Sequence, residues 1–156
     1  MQNIILTGVD GSETAAKAAE VAASLATDLK CELYVISASD SSQVPLPRVG
    51  RLISESSARD EMASRQRAID EHARTAQETA DEVAAKLRQK FPKLSITAKG
   101  IDKAPATALI DEAENLDARV VVVGNKHVQG ASRILGSVAT TVARHIKTDL
   151  YIAHTR

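Results

Sequence analysis

Residues 119–124 read Arg-Val-Val-Val-Val-Gly, and the fold turns on them. A run of β-branched residues without polar alternation predicts a strand covered on both faces, the situation of a central strand in a parallel sheet. Gly124 ends the run, a long loop follows, and Gly136-Ser137 opens a helical pattern from Ser137 to His145. Asp149-Leu150-Tyr151-Ile152-Ala153-His154 then reads as a further strand, one that should lie at a sheet edge. Upstream of the valines, Pro105 stands in the first turn of a predicted helix with Ala108, Leu109, Ala113 and Leu116, where proline is favoured. Leu94-Ser95-Ile96-Thr97-Ala98 alternates as a strand. From about Ala58 to Lys90, Ile69, Ala73, Ala76, Ala80, Val83 and Leu87 recur at spacings of four and three. An amphipathic helix laid on a sheet explains this better than a coiled coil, because so short a seam of mostly alanine holds little. Residues 39–57 collect Ser and Arg with Pro45, Pro47 and Gly50 and are expected to form a flexible loop. Glu32–Ala38 and Ile4–Val9 complete the strands, joined by an alanine-rich helix capped by Ser12 and stopping near Asp28.

The order βαβαβαβαβ implies an α/β fold: a doubly wound, five-stranded parallel sheet with helices on both faces. Its 156 residues suit one domain spanning 1–156. Leu, Ile, Val and Phe make up about a quarter of the chain, above the range of disordered sequences. With only two Tyr and one Phe, the core must be built from aliphatic residues and alanine. Twenty acidic and twenty basic residues balance to zero, which disfavours a polyanionic partner such as nucleic acid. No run is long and apolar enough for a membrane span. The start, Met1-Gln2-Asn3 leading straight into a strand, lacks the basic and apolar regions of a signal peptide, so a cytoplasmic location is expected. The lone Cys31 has no partner for an internal disulfide and no nearby ligand spacing for a metal, and reads as a buried, inert thiol.

Gly8, Gly11, Gly124, Gly130 and Gly136 all follow the carboxyl ends of the first and fourth strands, which flank the ligand crevice of an open parallel sheet. At Gly136-Ser137, free backbone N–H groups, the serine hydroxyl and the helix dipole together suit a phosphate. The dipole alone supplies only ~0.3–1 kcal/mol, so several N–H contacts must act together. Lys126 and Arg133 are either additional charge for that phosphate or ordinary solvated cations. Asp10, a carboxylate at a strand's carboxyl end, is either an acceptor for a diol or a turn and capping residue.

Ile4 to Ser12, the stretch Gly100 to Ala106, Val120 to Lys126, Leu135 to His145 and Asp149 to Thr155 together resemble the universal stress protein family over almost the whole chain. Nucleotide-binding members of that family carry Gly-x-x-Gly, nine residues, then Gly-Ser or Gly-Thr. Gly124 and Gly136-Ser137 match the outer positions. His127 occupies the second glycine, and the spacer is one residue shorter. A non-glycine residue in a left-handed conformation costs about 1–2 kcal/mol, and His is among the types found there. His127 either obstructs a phosphate or donates a hydrogen bond to it, and Gly130 can absorb the shortening.

The resemblance implies that Asp10 contacts ribose hydroxyls, with Val9 and Ala38 beside adenine. It implies that Val123, Gly124, Lys126 and Gly130 line the nucleotide, and that Gly136, Ser137, Val138 and Ala139 hold phosphates. It also implies a homodimer through the last strand, 149–154. No spacing of Ser, His, Cys or carboxylates marks a catalytic residue or a metal site. The leading expectation is therefore a stress-response sensor or regulator that binds an adenine nucleotide without strong catalysis. ATP, with magnesium where the phosphates require it, is the default ligand, and AMP or cyclic AMP are the choices should His127 restrict the room. A dimeric interaction protein that binds no nucleotide and a slow ATP hydrolase are the alternatives.

Overall fold

The computed structural model describes residues 2–47, 54–125 and 135–155. Its elements in chain order are β1 (Ile4–Val9), α1 (Glu13–Leu29), β2 (Glu32–Ala38), a 3-10 turn (Ser41–Gln43), α2 (Glu55–Lys90), β3 (Ile96–Ile101), α3 (Pro105–Asn115), β4 (Val120–Gly124), α4 (Ser137–His145) and β5 (Asp149–Ala153). The strands form one five-stranded parallel sheet in the order β3-β2-β1-β4-β5. The chain reverses its direction of winding between β1 and β4, which creates the crevice beyond their carboxyl ends. The valine strand occupies its expected inner position, and β5 lies at an edge.

Alternate side chains of a strand face opposite ways, so each strand feeds two cores. Ile5, Leu33, Val35, Val120 and Val122 point toward α1 and α2. Ile4, Leu6, Ile36, Val121 and Val123 join a second cluster that includes Leu109 of α3 and Val142 of α4. Ala18, Ala19, Ala22, Ala23 and Ala26 of α1 are fully buried. Small side chains on this face let α1 lie close to the sheet: a Cβ added at Gly124 would meet Thr14 and Ala18 at 3.3 Å. Cys31 is buried.

Two expectations need correction. The third strand runs over Ile96–Ile101 instead of 94–98. Leu94 belongs to the turn after α2, its N–H donating to the Phe91 carbonyl at 3.0 Å. The long helix begins at Glu55, with Ser54 as its cap, and its buried stripe is Ala76, Ala80, Ala84 and Leu87. Ala73 is exposed and Ile69 only half-buried, because the helix outruns the sheet on its amino-terminal side. On the edge strand β5, Ile152 is 39% exposed. Within the segment expected to be loop, residues 41–43 form a 3-10 turn and Val44 is buried; 48–53 lie outside the described residues.

Candidate functional site

A cavity of about 320 Å³ opens at the carboxyl ends of β1, β2 and β4. Gly8, Val9 and Asp10 contribute from β1 and its exit, Ile36 and Ala38 from β2, and Val123 and Gly124 from β4. Ser12, Thr14 and Ala15 close it from the start of α1, Pro105 and Leu109 from α3, and Gly136 to Ala139 from the start of α4. Gly8 is needed for packing: a Cβ there would lie 3.0 Å from the Leu109 side chain that covers this end of β1. Gly11 is needed for conformation, since its φ is +81° and nothing lies within 4 Å of an added Cβ.

Asp10 sits on the turn between β1 and α1. Its Oδ1 accepts the Ser12 N–H at 3.0 Å, and the Ser12 hydroxyl oxygen accepts the Ala15 N–H at 3.2 Å to cap α1. The turn reading of Asp10 is thus correct, yet it does not exhaust the group, because a carboxylate offers about four lone-pair positions. The start of α4 differs from that of α1. Gly136 occupies the cap position without any side-chain cap, while its carbonyl already accepts the Thr140 N–H at 2.8 Å. The first N–H groups of α4, at Ser137, Val138 and Ala139, therefore have no acceptor within the helix, and these three residues line the cavity. The chain that leaves β4 is fixed by Asn125 N–H to the Ala153 carbonyl at 3.0 Å and by the Thr155 hydroxyl donating to the Asn125 carbonyl at 2.9 Å.

Of the residues singled out in the sequence, Val9, Asp10, Ala38, Val123, Gly124, Gly136, Ser137, Val138 and Ala139 line this one cavity. Lys126, His127, Gly130 and Arg133 lie outside the described residues. Sequence reasoning missed Thr14, Ala15, Ile36 and Leu109 as lining residues. Pro105 reads in the sequence as a helix-start residue. The fold also joins Ser39 Oγ and His72 Nδ1 at 3.1 Å, a pairing hidden by their separation along the chain. Neither residue lines the cavity. Among the described residues, no three His, Cys, Asp or Glu side chains converge on a possible cation site, and no helix is long and apolar enough to cross a membrane.

The profile of the universal stress protein family matches residues 1–154. The chain belongs to this family. Similar solved structures include a universal stress protein in complex with cAMP, at 26% identity and TM-score 0.64, with 98% of this chain and 97% of that one covered. UspA from Lactobacillus plantarum superposes with TM-score 0.71 at 18% identity, covering 97% of this chain and 98% of its own. A universal stress protein from Archaeoglobus fulgidus in complex with dAMP gives 0.60 at 21% identity, covering 97% of each chain. No curated protein matches the sequence. Within the family's pattern, Gly124 of this universal stress protein ends β4 and Gly136 caps α4, so the outer motif positions meet across the crevice.

Proposed function

We propose that this universal stress protein binds an adenine nucleotide in the crevice and acts as a cytoplasmic sensor or regulator. The observation that carries the reading is the start of α4: Ser137, Val138 and Ala139, on a helix without a side-chain cap, line the same cavity as Asp10. Phosphate suits the first and a ribose diol the second. Between them, Val9, Ile36, Ala38, Pro105, Leu109 and Val123 offer an aliphatic bed for a base, with no aromatic ring among the described lining residues to stack on it. Val123 and Gly124 bring backbone to the ligand, and Gly136, Ser137, Val138 and Ala139 take its phosphates. The similar protein solved with cAMP supports an adenine ligand. ATP is the default. Magnesium would be held chiefly by the phosphates, which is its common mode of binding.

Binding without strong catalysis is the better-supported role. Among the described lining residues Asp10 is the one ionisable side chain, and it is engaged in a turn. The chain is further proposed to act as a homodimer through β5, where Tyr151 is 47% and Ile152 39% exposed on an edge strand.

Thermal unfolding with ATP, ADP, AMP and cyclic AMP tests the central reading. A nucleotide at a hundred times its Kd should add about 2.7 kcal/mol of stability, and Gly136→Val should abolish that gain while leaving the unliganded transition in place. No gain with any of the four overturns nucleotide binding and leaves the interaction-protein reading. A His127→Gly variant that binds more tightly identifies the imidazole as an obstruction, and one that binds more weakly identifies it as a donor. Sedimentation as a monomer at micromolar concentration overturns the dimer.

A further inference from the structure

The backbone leaving β2 is gripped immediately beyond Ala38. The Ser39 N–H donates to the Ile101 carbonyl at 2.9 Å, continuing the β2–β3 ladder. Past that point the Asp102 side chain takes the place of the strand. Its Oδ1 accepts the Ser41 N–H at 2.7 Å and its Oδ2 accepts the Ser41 hydroxyl at 2.6 Å. Asp40 Oδ1 accepts the Ser42 N–H at 3.0 Å and closes the 3-10 turn. Ser39 Oγ meets His72 Nδ1 of α2 from the other side. Segment 39–43 is thereby tied both to the β3–α3 loop and to α2.

Asp102 and Ser41 do not line the cavity, but the residues beside them do: Ala38 precedes the gripped segment, and Pro105 follows Asp102 at the start of α3. We propose that Asp102 is a positioning residue for the nucleotide site, fixing the wall at Ala38 against the wall at Pro105 by holding Ser41. The proposal rests on the nucleotide reading above. Ordering a loose backbone costs about 1–2 kcal/mol per residue, and a wall that is already ordered spares the ligand that cost. Hydrogen bonds to a carboxylate are the stronger kind, and two of them on one residue fix its orientation as well as its distance. The Ser41 hydroxyl and N–H also hold the Asp102 carboxyl below its ordinary range, with His72 acting in the same direction and Asp40 against it. The charged acceptor is therefore present at neutral pH.

The test is calorimetric titration with cyclic AMP and with ATP at neutral pH, on the full chain, for wild type, Asp102→Ala, Asp102→Asn and Lys103→Ala. Asp102→Ala should weaken the tighter nucleotide about tenfold, the scale of losing charge-assisted hydrogen bonds. Asp102→Asn should stay within about threefold, since its carbonyl still accepts the Ser41 N–H and its amide can donate to the Ser41 oxygen. Lys103→Ala removes the ion pair from the same loop to Asp111 of α3 and should leave affinity unchanged. Unchanged binding by Asp102→Ala, no rescue by Asn, or an equal loss in Lys103→Ala overturns the proposal. Hydrogen exchange at the Ser41 amide separates it from the nucleotide reading. Should wild type bind neither of these nor ADP or AMP, that reading fails; the grip on Ser41 then stands only if Asp102→Ala speeds this exchange about tenfold while the β2 amides stay protected.

Discussion

The two edges of the sheet are treated in opposite ways. At β3, bonds from Leu33 N–H to the Ser95 carbonyl and from Ser39 N–H to the Ile101 carbonyl turn the odd-numbered peptide groups toward β2. The groups at 96, 98 and 100 therefore point outward, and side chains of α2 meet them. Arg88 Nη2 donates to the Ile96 carbonyl at 2.7 Å, Gln77 Nε2 to the Ala98 carbonyl at 3.4 Å, and Gln77 Oε1 accepts the Gly100 N–H at 2.8 Å. The helix thus supplies a substitute for a sixth strand. At β5, by contrast, Tyr151 and Ile152 are exposed, and the strand packs extensively against β4 alone among the described elements. An exposed edge is a template for pairing, so the covering of the β3 edge leaves β5 as the edge for the proposed dimer.

The strongest way to break this contrast is at Gly100. A Cβ there would lie 2.7 Å from the Gln77 backbone nitrogen and 2.9 Å from its Cα, and backbone cannot swing aside as a side-chain tip can. Gly100→Val should cost about 3 kcal/mol by lifting α2 from β3, read as a lower urea midpoint. A midpoint unchanged from wild type would mean that the helix is not held to this edge by backbone contact. The complementary change is Ile152→Lys on the open edge. A charge on an unpaired strand opposes pairing. The variant should weaken the proposed dimer about tenfold, or ~1.4 kcal/mol, while the unfolding of the monomer moves by less than about 0.5 kcal/mol. Sedimentation equilibrium separates the two quantities, and dimerisation as strong as wild type would place the interface elsewhere.

The same contrast explains what could be read in the sequence. β1, β4 and the start of α4 were legible because each joins a continuous apolar run, or a helical pattern, to a glycine. The β3 edge was not. Its alternation reads as ending at Ala98, and nothing in the sequence shows that Gly100, inside the strand, is the residue that admits Gln77. Nothing local in the sequence marks Gln77 or Arg88 as a side chain that will bond a strand edge. The carboxyl-end residues of the crevice were legible from strand ends and glycines, together with the family resemblance. Ile36 and Leu109 were not, since an apolar residue lining a cavity has the same local pattern as one filling a core.

Gln77 gives a finer test of the covered edge. Gln77→Leu keeps the helix and the volume but leaves the Gly100 N–H and Ala98 carbonyl to whatever water can reach them. A loss of about 1 kcal/mol is expected, together with faster hydrogen exchange at the Gly100 amide. Exchange unchanged at Gly100 would show that the helix backbone, rather than the Gln77 amide, shields this edge.

The smallest expected effect concerns how the two edge ladders end. Beyond β2 and β3 the ladder is continued by a charged group, the Asp102 carboxylate on Ser41; beyond β4 and β5 it is continued by a neutral one, the Thr155 hydroxyl on the Asn125 carbonyl. The Asp102 carboxyl is held below its ordinary value of 3.8, first by the Ser41 hydroxyl and then by the Ser41 N–H. A carboxyl whose value is lowered in the folded state contributes stability above its unfolded value and loses that contribution as pH falls through the lowered one. The difference in unfolding stability between wild type and Asp102→Asn should therefore be steady near neutrality and close as pH falls below 3.8. The difference between wild type and Thr155→Val, where nothing titrates, should stay level over the same range. Urea midpoints measured down the pH series decide it: parallel, level differences for both variants would remove the charge of Asp102 from the account of how β2 and β3 end, and with it the distinction between the two ladder ends.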